Sequence, residues 1–138
     1  MTKLDAYVFF DGNCAEAMRF YESVLRGKLE ILMTVGEAPE AEKTNPADKD
    51  KIVHGHLVFE SGSLLASDWL APAPYPGKHG FSLSLHPSSM EEGQRLFAEL
   101  SNGGMVTLPF DKTFWAAGFG MAIDRFGTHW MFNATLSE

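Results

Sequence analysis

The sequence predicts an α+β fold built from two copies of one βαβββ module. The first observation is a repeat: Glu16 and Arg19, in one helix-like segment, recur as Glu92 and Arg95 in a second segment at the same shift. The second observation is that each segment follows one strand-like stretch and precedes three others. The two copies are farther apart along the chain than the units of a solenoid, which are roughly 20–50 residues long. The repeat therefore indicates a duplicated half-domain.

Apolar residues at helical spacing predict one helix in each module. The first helix is expected to begin at Asn13 as N-cap, with Glu16 three residues later as in a capping box. Gly27 follows its last apolar residues and suits a left-handed C-cap. The second helix is expected to begin at Ser89 and to end at Asn102, which two glycines follow.

The remaining apolar stretches predict four strands in each module. In the first module they cover residues 4–10, 28–35, 54–60 and 63–68. In the second module they cover residues 80–86, 105–109, 119–124 and 128–134. The last two strands of each module are expected to form a hairpin, with turns at Ser61-Gly62 and at Phe126-Gly127.

Two polar segments interrupt this pattern in the chain of 138 residues, which is expected to form a single domain. Residues 71–78 contain three prolines and read as a semi-rigid linker. They separate module one, at about residues 1–70, from module two, at about residues 79–138. Residues 37–51 are polar, with two prolines and mixed charges, and read as a mobile loop.

Composition excludes several classes of partner. The formal net charge of −7 argues against binding of nucleic acid or of an anionic membrane surface. No apolar run approaches the roughly 20 residues of a membrane span, and the N-terminus lacks a signal-peptide pattern. The single cysteine, Cys14, fits a reducing compartment, so we expect a cytoplasmic protein. Cys14 lies at the start of the first predicted helix. One interpretation is a reactive thiolate, and the other is a small residue that fills a turn.

Five short segments of the sequence resemble one protein family. They are FFDGNCAEAMRFY (9–21), TVGEAP (34–39), LLASD (64–68), TFWAAGFG (113–120) and DRFGTHWMFN (124–133). These segments are similar to the PhnB-like branch of the vicinal-oxygen-chelate superfamily, which includes glyoxalase I, extradiol dioxygenases and bleomycin-resistance proteins. The branch also carries the label 3-demethylubiquinone-9 3-methyltransferase. The resemblance implies a glyoxalase-like fold, in which the strands of both modules curve as a mixed sheet around a cavity, and it implies a homodimer.

The resemblance also implies where a metal would bind. Metal-dependent members hold a divalent ion with His and Glu side chains from the first and last strands of each module. In this sequence those positions fall at Ala6, Ala66, Phe81 and Met131. An offset of one residue brings in Tyr7 and Ser82, which are poor ligands for a divalent metal. We therefore predict no metal at the usual site and no cofactor.

A displaced site remains an alternative. His54 and His56 lie two residues apart in a predicted strand and so share a face. Asp68 ends the neighbouring strand and His129 lies in the last strand, so a metal or acid–base site with these residues is one hypothesis. The other hypothesis is that these side chains form local hydrogen bonds or face solvent.

Strand alternation assigns residues to the predicted cavity. Because Met131 occupies a former ligand position, its face should line the cavity, while Trp130 and Phe132 pack under the helix. The turn glycines Gly62 and Gly127 are related by a shift along the chain that is shorter than the shift relating the two helices. Applied to the last strand of each module, this shorter shift places Ala66 and Asp68 on the cavity face of the first module. The predicted ligand-binding residues are Ala66, Asp68, Phe81, Trp115, His129, Met131 and Asn133.

Three functions are therefore considered. The first is binding of a small organic molecule without the usual metal. The second is an enzyme of the lyase, isomerase or dioxygenase type, with Asp68, His54 and His129 as catalytic candidates. The third is a subunit with a purely interacting role. The methyltransferase label finds no support, because no glycine-rich loop stands between a strand and a helix as nucleotide-type cofactor sites require.

Overall fold

The structure is a computed structural model that describes residues 1–60 and 62–135. It divides into two compact units, Met1–Gly77 and Lys78–Glu138. Each unit contains one strand, one helix and three further strands in chain order, which confirms the predicted α+β fold of two βαβββ modules. No helix in the described part of the chain is long and apolar enough to cross a membrane.

The first module forms one four-stranded sheet with one helix. The sheet order is β1-β4-β3-β2, with β1 parallel to β4 and the other pairs antiparallel. Of the predicted turn before β4, Ser61 lies outside the described residues and Gly62 is the first residue of the strand. The elements are β1 (Ala6–Phe10), α1 (Cys14–Leu25), β2 (Lys28–Thr34), β3 (Ile52–Phe59) and β4 (Gly62–Asp68).

The second module repeats this arrangement in the order β5-β8-β7-β6, with β5 parallel to β8. Its first strand is much shorter than the predicted range 80–86, because only three residues pair with β8. The elements are β5 (Leu83–Leu85), α2 (Met90–Ser101), β6 (Met105–Asp111), β7 (Gly118–Ile123) and β8 (His129–Ala134).

One face of each sheet packs against the helix of its own module. Along the strands, buried residues alternate with partly exposed ones, as the pleat of a strand requires. In the first module, the buried core includes Val8, Phe10, Cys14, Ala17, Met18, Tyr21, Val24, Val35, Ile52, Leu57, Leu64 and Ala66. Each large apolar side chain buried in this way contributes about 1.5–3 kcal/mol relative to exposure.

In the second module, a glycine lets the helix and the sheet approach closely. A Cβ atom built on Gly93 of α2 would lie 2.6 Å from Cζ of Phe110 in β6, so this position cannot carry a side chain while the ring stays in place. Leu96 and Leu100 of α2 are buried, and so are Trp130 and Phe132 on β8. The predicted packing of these two aromatic residues beneath the helix is therefore observed.

The two helices are capped in different ways. Ser89 caps α2 as predicted, because its Oγ accepts the Glu92 backbone N–H at 3.1 Å. Asn13 is the N-cap of α1 as predicted, and its carbonyl accepts the Ala17 N–H at 3.1 Å, but its side chain caps none of the helix N–H groups that the structure describes, so the expected capping box does not form. The left-handed residue after α1 is Arg26, with φ of 54°, and not Gly27.

The polar loop between β2 and β3 contains local structure that its composition did not predict. Three short 3-10 turns occupy Val35–Glu37, Ala41–Lys43 and Pro46–Asp48. Between the two ends of the loop, the Val35 N–H donates to the Lys51 carbonyl at 2.8 Å. Val35 is itself buried, so it anchors the loop to the module.

A buried carboxylate closes the β7–β8 hairpin. Asp124 is 3% exposed, and its Oδ1 accepts the backbone N–H groups of Phe126 at 2.9 Å and Thr128 at 3.0 Å. Its Oδ2 accepts the indole N–H of Trp130 at 2.8 Å. Gly127 adopts a φ of 86° between these partners, which explains the glycine in the predicted turn.

We predict that Asp124→Asn lowers the free energy of unfolding by about 2–3 kcal/mol. The amide nitrogen cannot accept an N–H, so at least one buried donor loses its partner and the remaining bonds lose their ionic character. Urea unfolding followed by circular dichroism measures the change. Asp50→Asn, an exposed loop carboxylate, serves as the control and should stay within about 0.5 kcal/mol. Equal effects of the two substitutions would contradict the role of Asp124.

Candidate functional site

The face of the first sheet opposite α1 carries exposed apolar and aromatic side chains. Strand registers align Tyr7 with Leu65, Leu65 with His56, and His56 with Ile31, so these side chains form one row across the sheet. Tyr7 is 40% exposed and Phe9 is 42% exposed. We call this surface the first open face; it comprises Tyr7, Phe9, Ile31, Met33, His54, His56 and Leu65.

Five aromatic rings follow one another along this face. Ring-centre distances are 5.9 Å from His54 to Tyr7, 5.1 Å from Tyr7 to Phe9 and 5.4 Å from Phe9 to Trp69. The Trp69 ring in turn lies 6.3 Å from that of Tyr75. These spacings fall in the range of favourable aromatic pairs. We call the five residues the aromatic ladder.

A polar pair stands at one end of the aromatic ladder. The Tyr7 hydroxyl oxygen and His54 Nδ1 lie 3.3 Å apart, at hydrogen-bonding distance. The direction of the bond depends on the tautomer of the imidazole. Either way, an otherwise apolar surface presents one hydroxyl and one imidazole side by side.

The other end of the aromatic ladder is anchored by the chain that leads out of the module. The Tyr75 hydroxyl donates to the Phe9 carbonyl at 2.9 Å, and the Trp69 indole N–H donates to the Ala73 carbonyl at 2.8 Å. Partial burial, and secondarily the negative charge of Asp11, raises the pKa of Tyr75. Tyr75 therefore remains a hydroxyl donor at neutral pH, and it fixes the ladder from this side.

A cleft of about 460 Å³ opens near the start of β1. Its volume lies within the usual range of sites for small organic molecules. Asp5 is held there by the Ser63 hydroxyl, which donates to its Oδ1 at 2.7 Å, and Lys3 Nζ lies 3.8 Å from Oδ2. The lining residues are Lys3, Leu4, Asp5, Ala6, His56, Val58, Gly62 and Ser63.

The second sheet has a corresponding face opposite α2. Met131 aligns with Ser84 of β5 on one side and with Met121 of β7 on the other, and Asn133 aligns with Phe119. These side chains are partly or largely exposed, whereas Trp130 and Phe132 on the opposite face are 2% and 0% exposed. We call this surface the second open face; it comprises Ser84, Phe119, Met121, His129, Met131 and Asn133.

The prediction that Ala66 and Asp68 share an open face was wrong. Ala66 is 0% exposed and pairs with Val8, which is also buried, whereas Leu65 pairs with the exposed Tyr7. The shift taken from the hairpin glycines therefore placed the wrong face of β4 outward, because a slip of one residue moves every side chain of a strand to the other face.

Asp68 instead joins three elements inside the first module. It is 2% exposed, its Oδ1 accepts the Cys14 backbone N–H at 3.0 Å, and its Oδ2 accepts the Ile52 backbone N–H at 2.7 Å. A residue at the end of β4 thus caps α1 and holds the start of β3. Because its side chain is buried and both carboxylate oxygens accept backbone N–H groups of its own module, we assign Asp68 a structural role.

Two further predicted site residues, Phe81 and Trp115, lie outside the strands, whereas His129, Met131 and Asn133 share the second open face. Phe81 precedes the short strand β5 and is 51% exposed, whereas Trp115 lies in the loop before β7 and is 50% exposed. Sequence reasoning missed His86, whose Nε2 lies 3.2 Å from the Ser84 Oγ. The alternation of Ser84 with His86 along the chain was the available signal.

The residues present do not fit the usual metal of the superfamily. The predicted ligand positions are Ala6, Ala66, Phe81 and Met131, and the outward-facing residues of the paired strands beside them include Tyr7, Leu65 and Ser84. None of these residues carries a carboxylate, imidazole or thiolate, the side chains that usually bind a divalent cation. Among residues 1–60 and 62–135, moreover, no three His, Cys, Asp or Glu side chains are grouped as a metal site within either module.

Comparisons with known proteins define first the class and then the family. The fold is that of the glyoxalase-like proteins: a glyoxylase/bleomycin resistance protein/dioxygenase domain from Frankia is similar over 99% of both chains, with a TM-score of 0.65 and 14% identity. The model of the family described as 3-demethylubiquinone-9 3-methyltransferase matches residues 2–132. The chain therefore belongs to this family, the PhnB-like branch of the vicinal-oxygen-chelate superfamily.

Individual relatives are similar over nearly their whole length. Protein YjdN of Escherichia coli K12 is 30% identical, over 98% of this chain and 97% of the relative. The crystal structure of protein PA1353 from Pseudomonas aeruginosa is 43% identical over 99% and 100% of the two chains, with a TM-score of 0.92. The putative 3-demethylubiquinone-9 3-methyltransferase PhnB protein from Bacillus cereus is 19% identical over 97% and 100%, with a TM-score of 0.80.

We predict that Asp68→Ala lowers the free energy of unfolding by about 3 kcal/mol, because two buried backbone N–H groups lose their acceptor. Urea unfolding measures the effect. The control is Asp11→Ala, an exposed carboxylate that follows β1, with an expected change below about 0.5 kcal/mol. If Asp68→Ala were as stable as the unsubstituted protein, the structural role of this carboxylate would be refuted.

Proposed function

We propose that this protein binds a small organic molecule on its first open face, without the metal that many members of the superfamily use. The observation that carries the proposal is the hydrogen-bonding pair Tyr7–His54 at the end of an exposed aromatic ladder. Small-molecule sites generally combine an apolar wall with a few polar groups that set orientation. The first open face has both features.

The chemistry of this surface supports a ligand with a flat apolar body and one polar group. Tyr7 and Phe9 lie 5.1 Å apart and are both about two-fifths exposed, so a ring can pack on them with about 0.5–1.5 kcal/mol per aromatic contact beyond the area buried. The polar group would pair with the Tyr7 hydroxyl or the His54 imidazole. The cleft beside His56 offers further space for a polar extension.

An enzyme of the same superfamily is the second candidate. The Tyr7 hydroxyl lies within hydrogen-bonding distance of the His54 imidazole, and both groups can take part in general acid–base catalysis. His129, on the second open face, remains a further candidate. His54 and His56, which share a face of β3, are the candidates for a displaced metal in the first module.

Methyl transfer is not part of the proposal, although the family description names it. Within the described residues, 1–60 and 62–135, no strand is followed by a glycine-rich loop and a helix, which is the segment that would hold a nucleotide-type methyl donor. The homodimer and the cytoplasmic location stay predictions from the sequence.

We predict that Phe9→Ala weakens binding of small aromatic probes at least fivefold, because it removes the middle of the exposed ladder. Saturation-transfer NMR with a mixture of benzoate, phenol and benzyl alcohol measures the binding. Phe81→Ala is the matched comparison, since Phe81 is similarly exposed but lies outside the first open face. Loss of binding in Phe81→Ala, with retention in Phe9→Ala, would place the ligand elsewhere and refute the proposed site.

We also predict that protein purified without a histidine tag carries no stoichiometric divalent metal, because the usual ligand positions lack carboxylate and imidazole side chains. Elemental analysis by mass spectrometry gives the metal content per chain. One tightly bound ion per chain, lost in His54→Ala and retained in His129→Ala, would contradict the metal-free proposal and favour the enzyme with a displaced site.

A further inference from the structure

The loop before β7 exposes two large aromatic side chains. Phe114 is 92% exposed and Trp115 is 50% exposed. The loop itself is held as a tight turn, because the Ala116 N–H donates to the Thr113 Oγ1 at 3.1 Å and the Thr113 N–H donates to the Ala116 carbonyl at 3.2 Å. Such a turn presents the two rings outward, although exposing large apolar groups to water is unfavourable.

These rings form a corner with a third ring from the second open face. The centres of Phe114 and Trp115 are 4.8 Å apart with an interplanar angle of 81°, and those of Trp115 and Phe119 are 5.5 Å apart at 63°. Trp115 therefore stands between two rings that are steeply inclined to it. We call Phe114, Trp115 and Phe119 the aromatic corner.

A carboxylate lies beside the aromatic corner. Asp111 is paired directly with Phe119 across β6 and β7, so their side chains project from the same face with Cβ atoms about 4.5–5.5 Å apart. The Asp111 Oδ1 accepts the Lys112 backbone N–H at 2.7 Å, and the side chain is exposed. Lys112 is the single basic residue in segment 111–117, and the whole chain carries a formal net charge of −7.

We propose that the aromatic corner is a binding site for an organic ammonium group, that is, a quaternary or alkylated amine. The faces of aromatic rings carry partial negative charge and attract cations, and Trp does so most strongly. An alkylated ammonium also has an apolar surface that the exposed rings can cover. Asp111 supplies a full negative charge at the same place, and the net charge of the protein favours a cationic ligand over an anionic one.

The aromatic corner and the first open face are different surfaces, and they suit ligands of different chemistry. The small-molecule proposal concerns an uncharged aromatic surface in the first module, with Tyr7 and His54 as its polar groups. The aromatic corner belongs to the second module and selects for positive charge. Either proposal can fail while the other holds.

The test uses the full-length protein labelled with fluorotryptophan and titrated with tetramethylammonium chloride. The three tryptophans, Trp69, Trp115 and Trp130, give three fluorine NMR signals. We expect a saturable shift of the Trp115 signal and none for Trp130, which is buried. Sodium chloride at the same concentrations controls for ionic strength, and tert-butanol serves as the uncharged molecule of the same shape.

Substitutions then identify the groups responsible. Phe114→Ala should weaken tetramethylammonium binding about fivefold, which corresponds to about 1 kcal/mol of cation–π attraction, and Asp111→Asn should weaken it at least twofold. Phe81→Ala removes a ring of the same module that lies outside the aromatic corner and is 51% exposed, close to the 50% of Trp115, and it should leave the affinity unchanged.

Three results would overturn the inference. The first is an equal shift of the Trp115 signal by tert-butanol, which would make the surface merely apolar. The second is unchanged affinity in both Phe114→Ala and Asp111→Asn. The third is a change from dimer to monomer on Phe114→Ser in analytical ultracentrifugation, which would assign the exposed rings to contact with a second copy of the chain.

Discussion

The structure depends on the fact that a single helix covers only one face of a four-stranded sheet. In each module, the covered face supplies the core, with Phe10 and Tyr21 fully buried in the first and Phe132 in the second. The opposite face receives no helix from its own module. Its side chains therefore stay available for other contacts.

The two modules share this arrangement of helix and sheet, but their open faces carry different side chains. The first open face carries a run of aromatic rings with one hydroxyl–imidazole pair, whereas the second carries methionine, serine and asparagine, with aromatic rings gathered at its loop. Buried carboxylates also differ between the modules. Asp68 ties a strand end to a helix start, and Asp124 closes a hairpin, so each satisfies backbone N–H groups at a different place.

This division explains why membership of a family leaves the activity open. Residues 2–132 match the family model, and the fold is shared with proteins only 14–19% identical to this chain. What these distant proteins share with this chain is the fold. The open faces and loops such as 113–117 are not restricted by packing in the core, and one fold can therefore host different functions. The proposals for Tyr7, His54 and the aromatic corner rest on these surfaces.

The sequence alone determined the element types, the module order and several local details. Ser89 as helix cap and Gly127 in a hairpin turn were predictable because each acts on residues within four positions of itself. Tertiary structure decided which face of β4 is open and what caps α1. The open face of β4 depends on strand register, where an error of one residue moves every side chain to the other face. The cap of α1 depends on a hydrogen bond between Asp68 and Cys14, two residues that are far apart in the chain. Long-range pairing of this kind leaves no periodic pattern in a single sequence, so it became visible only once the chain was folded.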